Sequence, residues 1–379
     1  MKIGFLLDDY SAYQLLHAAP FAFALSRRYP EVDVQLIVGR RETAGMLRRL
    51  AQYYPGQRCR HVEAEVPRWV EWVDPLARLV TFARKPLLRR MNTDIFRELD
   101  MLVSSELSAS RIKQAAGLDR LRLVYTHHGA GDRSATFNEK LRDFDLVFAS
   151  GEAQKRRLLG ERLVAPDRCA VVGYPKFELA GALSSGPPVF PESRPTVLYN
   201  PHFARGESSW QRFGRAVLET FRRQDRYNLI FAPHTRLYQR ALRHGARPLG
   251  RYRACPHIHI DTGSDASIDM TYSNAADIYL GDVSSQIYEF LRKPRPCVFL
   301  DAHGVARWRD NPSYRYWRAG EVVRDLADLL PAIARVRENM DSYRPVQERL
   351  FDETFSETPI AASDRGADAI AEAAGLSRR

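Results

Sequence analysis

At 379 residues, with 45% hydrophobic and 11% aromatic content, the chain excludes a disordered polymer and has room for two domains of ordinary size. Lys and Arg outnumber Asp and Glu by 57 to 46, a formal net charge of +11, which points to an anionic partner such as a phosphate-rich substrate or an anionic membrane surface. No motif of interleaved aromatic and basic residues for RNA or DNA accompanies that charge, so nucleic acid is not expected.

In chain order, the apolar run that opens the sequence stops at Asp8 and Asp9, too short and wrongly flanked for a signal peptide, and no run reaches the length of a membrane span. A cytoplasmic protein is the expectation, with peripheral attachment to the inner face of the membrane left open. Strands are predicted at 2–7, 32–38, 101–105, 121–126, 146–150 and 170–172, with helices at 15–28 and 152–159. Between them, the stretch 68–90 mixes Trp69, Trp72 and Phe82 with Arg84, Lys85, Arg89 and Arg90, a composition suited to anionic lipid or a lipid-linked acceptor, or to an amphipathic helix with a solvated basic side.

Residues 182–195 concentrate Gly, Pro and Ser and read as a linker, placing a first domain at 1–185 and a second at 196–379. The alternation then restarts, with strands at 196–199, 228–231, 257–260, 278–280 and 297–300, and helices at 321–340 and 361–375. Such alternation predicts an α/β protein with two Rossmann-like domains facing across a cleft. The four cysteines, Cys59, Cys169, Cys255 and Cys297, are far apart and lack metal or disulfide spacing, which fits a reducing compartment.

Polar residues recur where strands end. The run at 121–125 leads into Thr126-His127-His128-Gly129; 196–199 leads into Asn200-Pro201-His202; 228–231 leads into Ala232-Pro233-His234. The strand at 278–280 leads into Gly281-Asp282-Val283-Ser284-Ser285, where Asp or Ser is placed to cap a helix whose open N–H groups suit a phosphate. In open α/β sheets ligands bind beyond the carboxyl ends of strands, so these ends are expected to converge.

With these residues in order, the chain resembles the CDP-glycerol glycerophosphotransferase family, teichoic-acid polymerases and primases of GT-B fold. The resemblance covers about 121–300 and rests on His128-Gly129, Gly173-Tyr174-Pro175-Lys176, Tyr199-Asn200-Pro201-His202-Phe203, His234, and Asp282-Val283-Ser284-Ser285 followed by Glu289 and Lys293-Pro294. It departs from the family pattern at His127, His202 and Thr235, and no motif in the first 120 residues matches. The resemblance implies transfer of a glycerophosphate or similar group from a CDP-activated donor to a hydroxyl of a glycan or lipid-linked precursor, releasing CMP, with no cofactor or metal.

In that scheme His128, or the adjacent His127, is the candidate base, with Gly129 and Gly131 giving the substrate close approach. His234 stabilises developing charge, and Ser284 and Ser285 bind the pyrophosphate. Asp282, Glu289, His202 and Arg236 complete the donor side, Glu289 as acceptor for ribose hydroxyls, with Arg205 as a further cation. Asp8/Asp9 and Asp265/Asp269 are carboxylate pairs, yet no Asp-x-Asp or His-x-x-x-His element appears; the spacing of His257 and His259 permits a metal, but core or edge histidines are expected. A nucleotide-sugar glycosyltransferase and a non-catalytic binder of nucleotide or anionic polymer are the alternatives.

Overall fold

The computed structural model describes residues 1–7, 14–65, 67, 70, 84–127, 129, 137–183, 188–239 and 248–376. Two compact units emerge, one from Met1–Ala130, Ser134–Ala182 and Glu353–Arg379, the other centred on Leu183–Asp352. Each is organised by one parallel sheet.

The first sheet contains β1 (Lys2–Leu6), β2 (Asp33–Val38), β3 (Arg60–Glu63), β4 (Met101–Ser104), β5 (Arg122–Tyr125), β6 (Leu146–Ala149) and β7 (Cys169–Val171), in the order β3-β2-β1-β4-β5-β6-β7. Its middle strands are apolar on both faces, because helices cover both sides of a parallel sheet. β3, by contrast, is the polar edge segment Arg-His-Val-Glu, and its lack of an apolar run hides it from pattern reading.

The second sheet contains β8 (Thr196–Asn200), β9 (Asn228–Phe231), β10 (Ile258–Ile260), β11 (Ile278–Gly281), β12 (Cys297–Leu300) and β13 (Glu321–Val323), in the order β10-β9-β8-β11-β12-β13. Val197, Tyr199, Leu229, Phe231, Leu280 and Val298 join Trp210, Val217 and Phe221 in its core. The predicted helix 321–340 is corrected here. Glu321, Val322 and Val323 pair with Val298, Phe299 and Leu300 as an edge strand, since two adjacent β-branched residues fit a pleated partner better than a helix turn. Helix begins only at Leu329, after a 3₁₀ turn whose entry Asp325 caps by accepting the Ala327 N–H at 3.0 Å.

The C-terminal segment also differs from the expectation that 196–379 form one domain. Glu353–Arg379 belong to the first unit, where the helix Ala362–Ala373 lies against the helix Leu15–Arg28. Arg27 bonds Asp364 at 2.7 Å, Arg28 bonds Asp368 at 2.7 Å, and the Tyr29 hydroxyl donates to Asp368 at 2.9 Å. Among these ion pairs the buried Gly366 and Ala367 allow the helices close approach.

Candidate functional site

In the second sheet, chain order runs outward from β8 through β9 to β10 and from β11 through β12 to β13, so the order switches between the neighbours β8 and β11. Connections leaving the carboxyl ends of two such strands diverge and leave a crevice. His202 follows β8 and Ser284 follows β11, so both flank that switch. His234 follows β9, one strand away.

Asp282 ties these strand ends together. Its carboxylate accepts the backbone N–H groups of His202 at 2.9 Å, Val283 at 2.7 Å and Ser209 at 2.6 Å, and the Ser209 hydroxyl at 2.7 Å. Its own carbonyl accepts the Trp317 indole N–H at 3.1 Å. Burial pushes the carboxyl up to about 6, against the pull of the Ser209 bonds, then those from His202 and Val283. Expected as a donor ligand, Asp282 is instead buried and saturated by the protein's own donors, and it positions the loops that carry His202 and Ser284.

The two histidines differ in environment. His202 is buried, and its Nδ1 lies 3.1 Å from the Ala204 N–H and 3.3 Å from a Glu207 carboxylate oxygen. Nδ1 accepts from Ala204 when it carries no proton and donates to Glu207 when it carries one. His234 is half-buried; its Nδ1 accepts the Arg236 N–H at 3.2 Å, which places the proton of the neutral ring on Nε2 as a donor. The rings stand edge to face, with centroids 5.4 Å apart, and Phe203 packs 4.3 Å from His202 and 4.6 Å from His234. Arg236 lies 5.5 Å over Phe203, which brings its guanidinium to the same cluster.

Ser284 is buried, and its hydroxyl donates to Asn200 Oδ1 at 3.0 Å while receiving the Gln286 N–H at 3.3 Å. Ser285 precedes the helix Gln286–Phe290, a single short turn that its side chain does not cap. Glu289 is buried on that turn, and Arg205 is exposed. Sequence reasoning missed Ser209 and gave Asn200, read there as a polar strand end, no role of its own. Asn200 closes β8, donates to the Ala232 carbonyl at 2.5 Å and so joins the ends of β8, β9 and β11.

In the first unit, Thr126 and His127 follow β5, and the His127 ring meets Tyr125 edge-on at 4.7 Å. His128 and Gly131 lie outside the described residues. His127, Thr126, His17, Ser150, Gly173 and Tyr174 line one small pocket. Gly173, at φ +87°, turns the chain there, and Tyr174 packs 5.0 Å from His17, so the Gly-Tyr-Pro element shapes the pocket wall.

The basic stretch separates into different roles. Arg84 and Lys85 begin the helix Arg84–Met91, and their side chains, like residues 68–69 and 71–83, lie outside the described residues. Arg90 is exposed. Arg89 is mostly buried, paired with Glu106 and donating to Ser108 Oγ at 2.7 Å, which corrects its expected place at a membrane or acceptor.

His257 and His259 reach the Phe221 carbonyl and the Tyr272 hydroxyl, each at 2.9 Å. Asp8 and Asp9 lie outside the described residues, and among the described residues no His, Cys, Asp or Glu group is arranged to hold a metal ion. No described helix is long and apolar enough to cross a membrane. All four thiols are free, and burial pushes Cys169 up to about 11 and Cys59 up to about 12, far from a reactive thiolate.

No protein-family description matches the sequence, and no curated protein matches it. Solved structures do. The wall teichoic acid polymerase TagF is 13% identical, with 98% of this chain covering 88% of that one at a TM-score of 0.61. The UDP co-structure of MnaA from S. aureus is 12% identical over 100% of this chain and 98% of that one, with a TM-score of 0.62. The UDP-GlcNAc 2-epimerase from Neisseria meningitidis is 12% identical over 99% of both chains, with a TM-score of 0.56. Two parallel sheets and near-complete coverage by these structures show that the fold of this chain is of the GT-B type.

Proposed function

We propose that the chain is a GT-B transferase that moves a glycerophosphate or similar polyol-phosphate group from a CDP-activated donor to a hydroxyl of a cell-surface glycan or its lipid-linked precursor. The observation that carries this reading is the cluster of His202, His234, Arg236 and Ser284 at the carboxyl ends of β8, β9 and β11, beside the strand-order switch. Hydrogen-bond donors fixed there suit the oxygens of a pyrophosphate. TagF, one of the structures of like fold, has been soaked with CDPG, which supports a cytidine donor.

In this mechanism the acceptor hydroxyl oxygen attacks the β-phosphorus in line while His128 takes its proton. The bond from that phosphorus to the bridging oxygen breaks, and CMP leaves with the electron pair. His234 Nε2–H and the Arg236 guanidinium stabilise charge on the leaving side, and Ser284 orients the pyrophosphate. The chain's net charge of +11 fits an anionic substrate.

A second reading, a nucleotide-sugar enzyme on the same fold, draws support from the UDP-bound and UDP-GlcNAc-bound neighbours. Incubation with CDP-, UDP-, GDP- and CMP-linked donors separates the two. CMP release from CDP-glycerol, dependent on an acceptor, is the expected result. Release of UDP or GDP, or turnover of a UDP-sugar alone, would favour the second reading.

A further inference from the structure

The outer edge of the second sheet carries a pocket that the proposed transfer does not use. It runs beside β13, which is separated from the β8/β11 switch by β12, and encloses about 440 Å³. Trp308, Arg309, Trp317, Arg318, Arg324 and Tyr343 line it. A volume of this size admits a small organic molecule.

Each of its three exposed arginines makes at least one contact with the fold. Arg309 lies 4.5 Å over the Trp308 ring, Arg318 donates to the Arg309 carbonyl at 2.5 Å, and Arg324 donates to buried Asp301 at 2.8 Å and to the Val305 carbonyl at 3.3 Å. A guanidinium has five N–H donors, so each of these anchors leaves several for a ligand. Against these cations stand Asp301, ion-paired with Arg324, and Glu321, whose oxygens are engaged by Arg335 and the Tyr343 hydroxyl, each at 3.4 Å. The wall beneath is aromatic, with Trp308 and Trp317 packed edge to face at 5.7 Å. Arg forks beside the apolar wall of Val322 and Tyr343 match a ligand with a phosphate at one end and carbon at the other.

We infer that this pocket is a second binding site, for an organic phosphate whose phosphoryl oxygens meet Arg309, Arg318 and Arg324 and whose carbon skeleton lies along the half-buried Val322 and Tyr343. This goes beyond the proposed transfer: the site is argued from the pocket's own residues alone, and only the choice of candidate ligands rests on that reading. Two sources offer that chemistry: a phosphodiester-linked polyol chain, or a free nucleoside monophosphate.

Calorimetric titration of the intact protein at low salt with inorganic phosphate, CMP and a short glycerol-phosphate oligomer tests the inference, with the wild type compared to R309Q/R318Q and to R318K. Loss of two charge-assisted forks should weaken phosphate binding by about 10-fold or more in R309Q/R318Q, with near-UV circular dichroism unchanged, and R318K should fall between. Tighter binding of the oligomer than of phosphate identifies the chain as the source. A CMP site present in the wild type and lost in R309Q/R318Q identifies the nucleotide. Equal affinities in wild type and both variants, or no phosphate heat at concentrations of about 10 mM, would overturn the site.

Discussion

Asp282 and His202 are joined across the strand-order switch: the carboxylate at the end of β11 accepts the His202 backbone N–H from the end of β8 at 2.9 Å. Because the same carboxylate also holds Ser209 and Val283, it acts as a buried hub joining the connection that leaves β8 to the one that leaves β11. Asn at 282 would turn an N–H toward these donors, so D282N should lower stability, and the loss should depend on pH. Burial raises the carboxyl from 3.8 to about 6, so between those values the folded protein holds a proton that the unfolded chain has released. That contribution is full below about pH 4 and lost as pH rises through about 6, amounting to about 3 kcal/mol at most. D282N does not titrate there, so the stability lead of the wild type should be widest near pH 4 and narrow toward pH 7 in urea unfolding. A lead constant across that range would mean that the carboxyl titrates alike folded and unfolded.

His234→Ala should lower turnover by about 10²- to 10³-fold, the usual effect of losing one donor to developing charge. The half-buried ring gives up little packing, so its melting temperature should stay close to wild type. His234→Gln, which restores an N–H donor, should recover part of the rate. His202→Ala is the control: with its ring buried against Phe203, it should lower both rate and stability. The assay is CMP release from CDP-glycerol with acceptor present, and full activity in His234→Ala would remove the residue from the mechanism.

The strand ends were legible because each short apolar run stops at a polar residue, as where Phe231 gives way to Pro233 and His234, and parallel strands buried on both faces must read that way. What these ends do was less legible. Asp282 has the look of a ligand or cap in one dimension; only the fold shows the Ser209 and His202 donors that saturate it. Arg89 reads as a free cation until Glu106 is folded beside it. Short edge strands carry too few residues to show a period, which is why Glu321–Val323 blended into the helix that follows.

Ser284→Ala should weaken CDP binding by about 1 kcal/mol, since it removes one hydroxyl and its bond to Asn200 while the backbone N–H groups stay. Ser285→Ala should do less. Asn200→Ala should do more, because the amide also anchors the Ala232 carbonyl. Calorimetry with CDP reads all three, and identical affinities would put the pyrophosphate elsewhere.

Arg89 and Arg90 should part company under substitution. Arg89→Gln removes the cation paired with Glu106 in a mostly buried site, while the Ser108 hydroxyl still donates to that carboxylate, and should cost about 1–3 kcal/mol of stability. Arg90→Gln, exposed, should cost almost none, and any effect should fall on sedimentation with anionic liposomes, at about 1 kcal/mol per cation in low salt. Equal sedimentation of the wild type with anionic and neutral liposomes would end the membrane reading of this stretch.

The return of the C-terminal helix to the first unit was the least legible feature, because an Ala-rich amphipathic helix names no partner and only small residues mark where it packs. Gly366 is such a mark. A Cβ there would stand 2.2 Å from Phe21 and 3.2 Å from Phe148, two buried rings that themselves pack edge to face at 5.1 Å. Helix propensity favours Gly366→Ala by about 1 kcal/mol, but the added methyl must displace Phe21 in a filled core, which costs about 1–3 kcal/mol. The clash is with ring atoms that have no room to swing, so overpacking should win and the variant should be less stable than the wild type. Hydrogen exchange should then show lost protection in both Leu15–Arg28 and Ala362–Ala373, while the strands of the second sheet keep theirs. A Gly366→Ala protein more stable than the wild type would mean that the two helices do not pack as closely as the Arg28–Asp368 pair holds them.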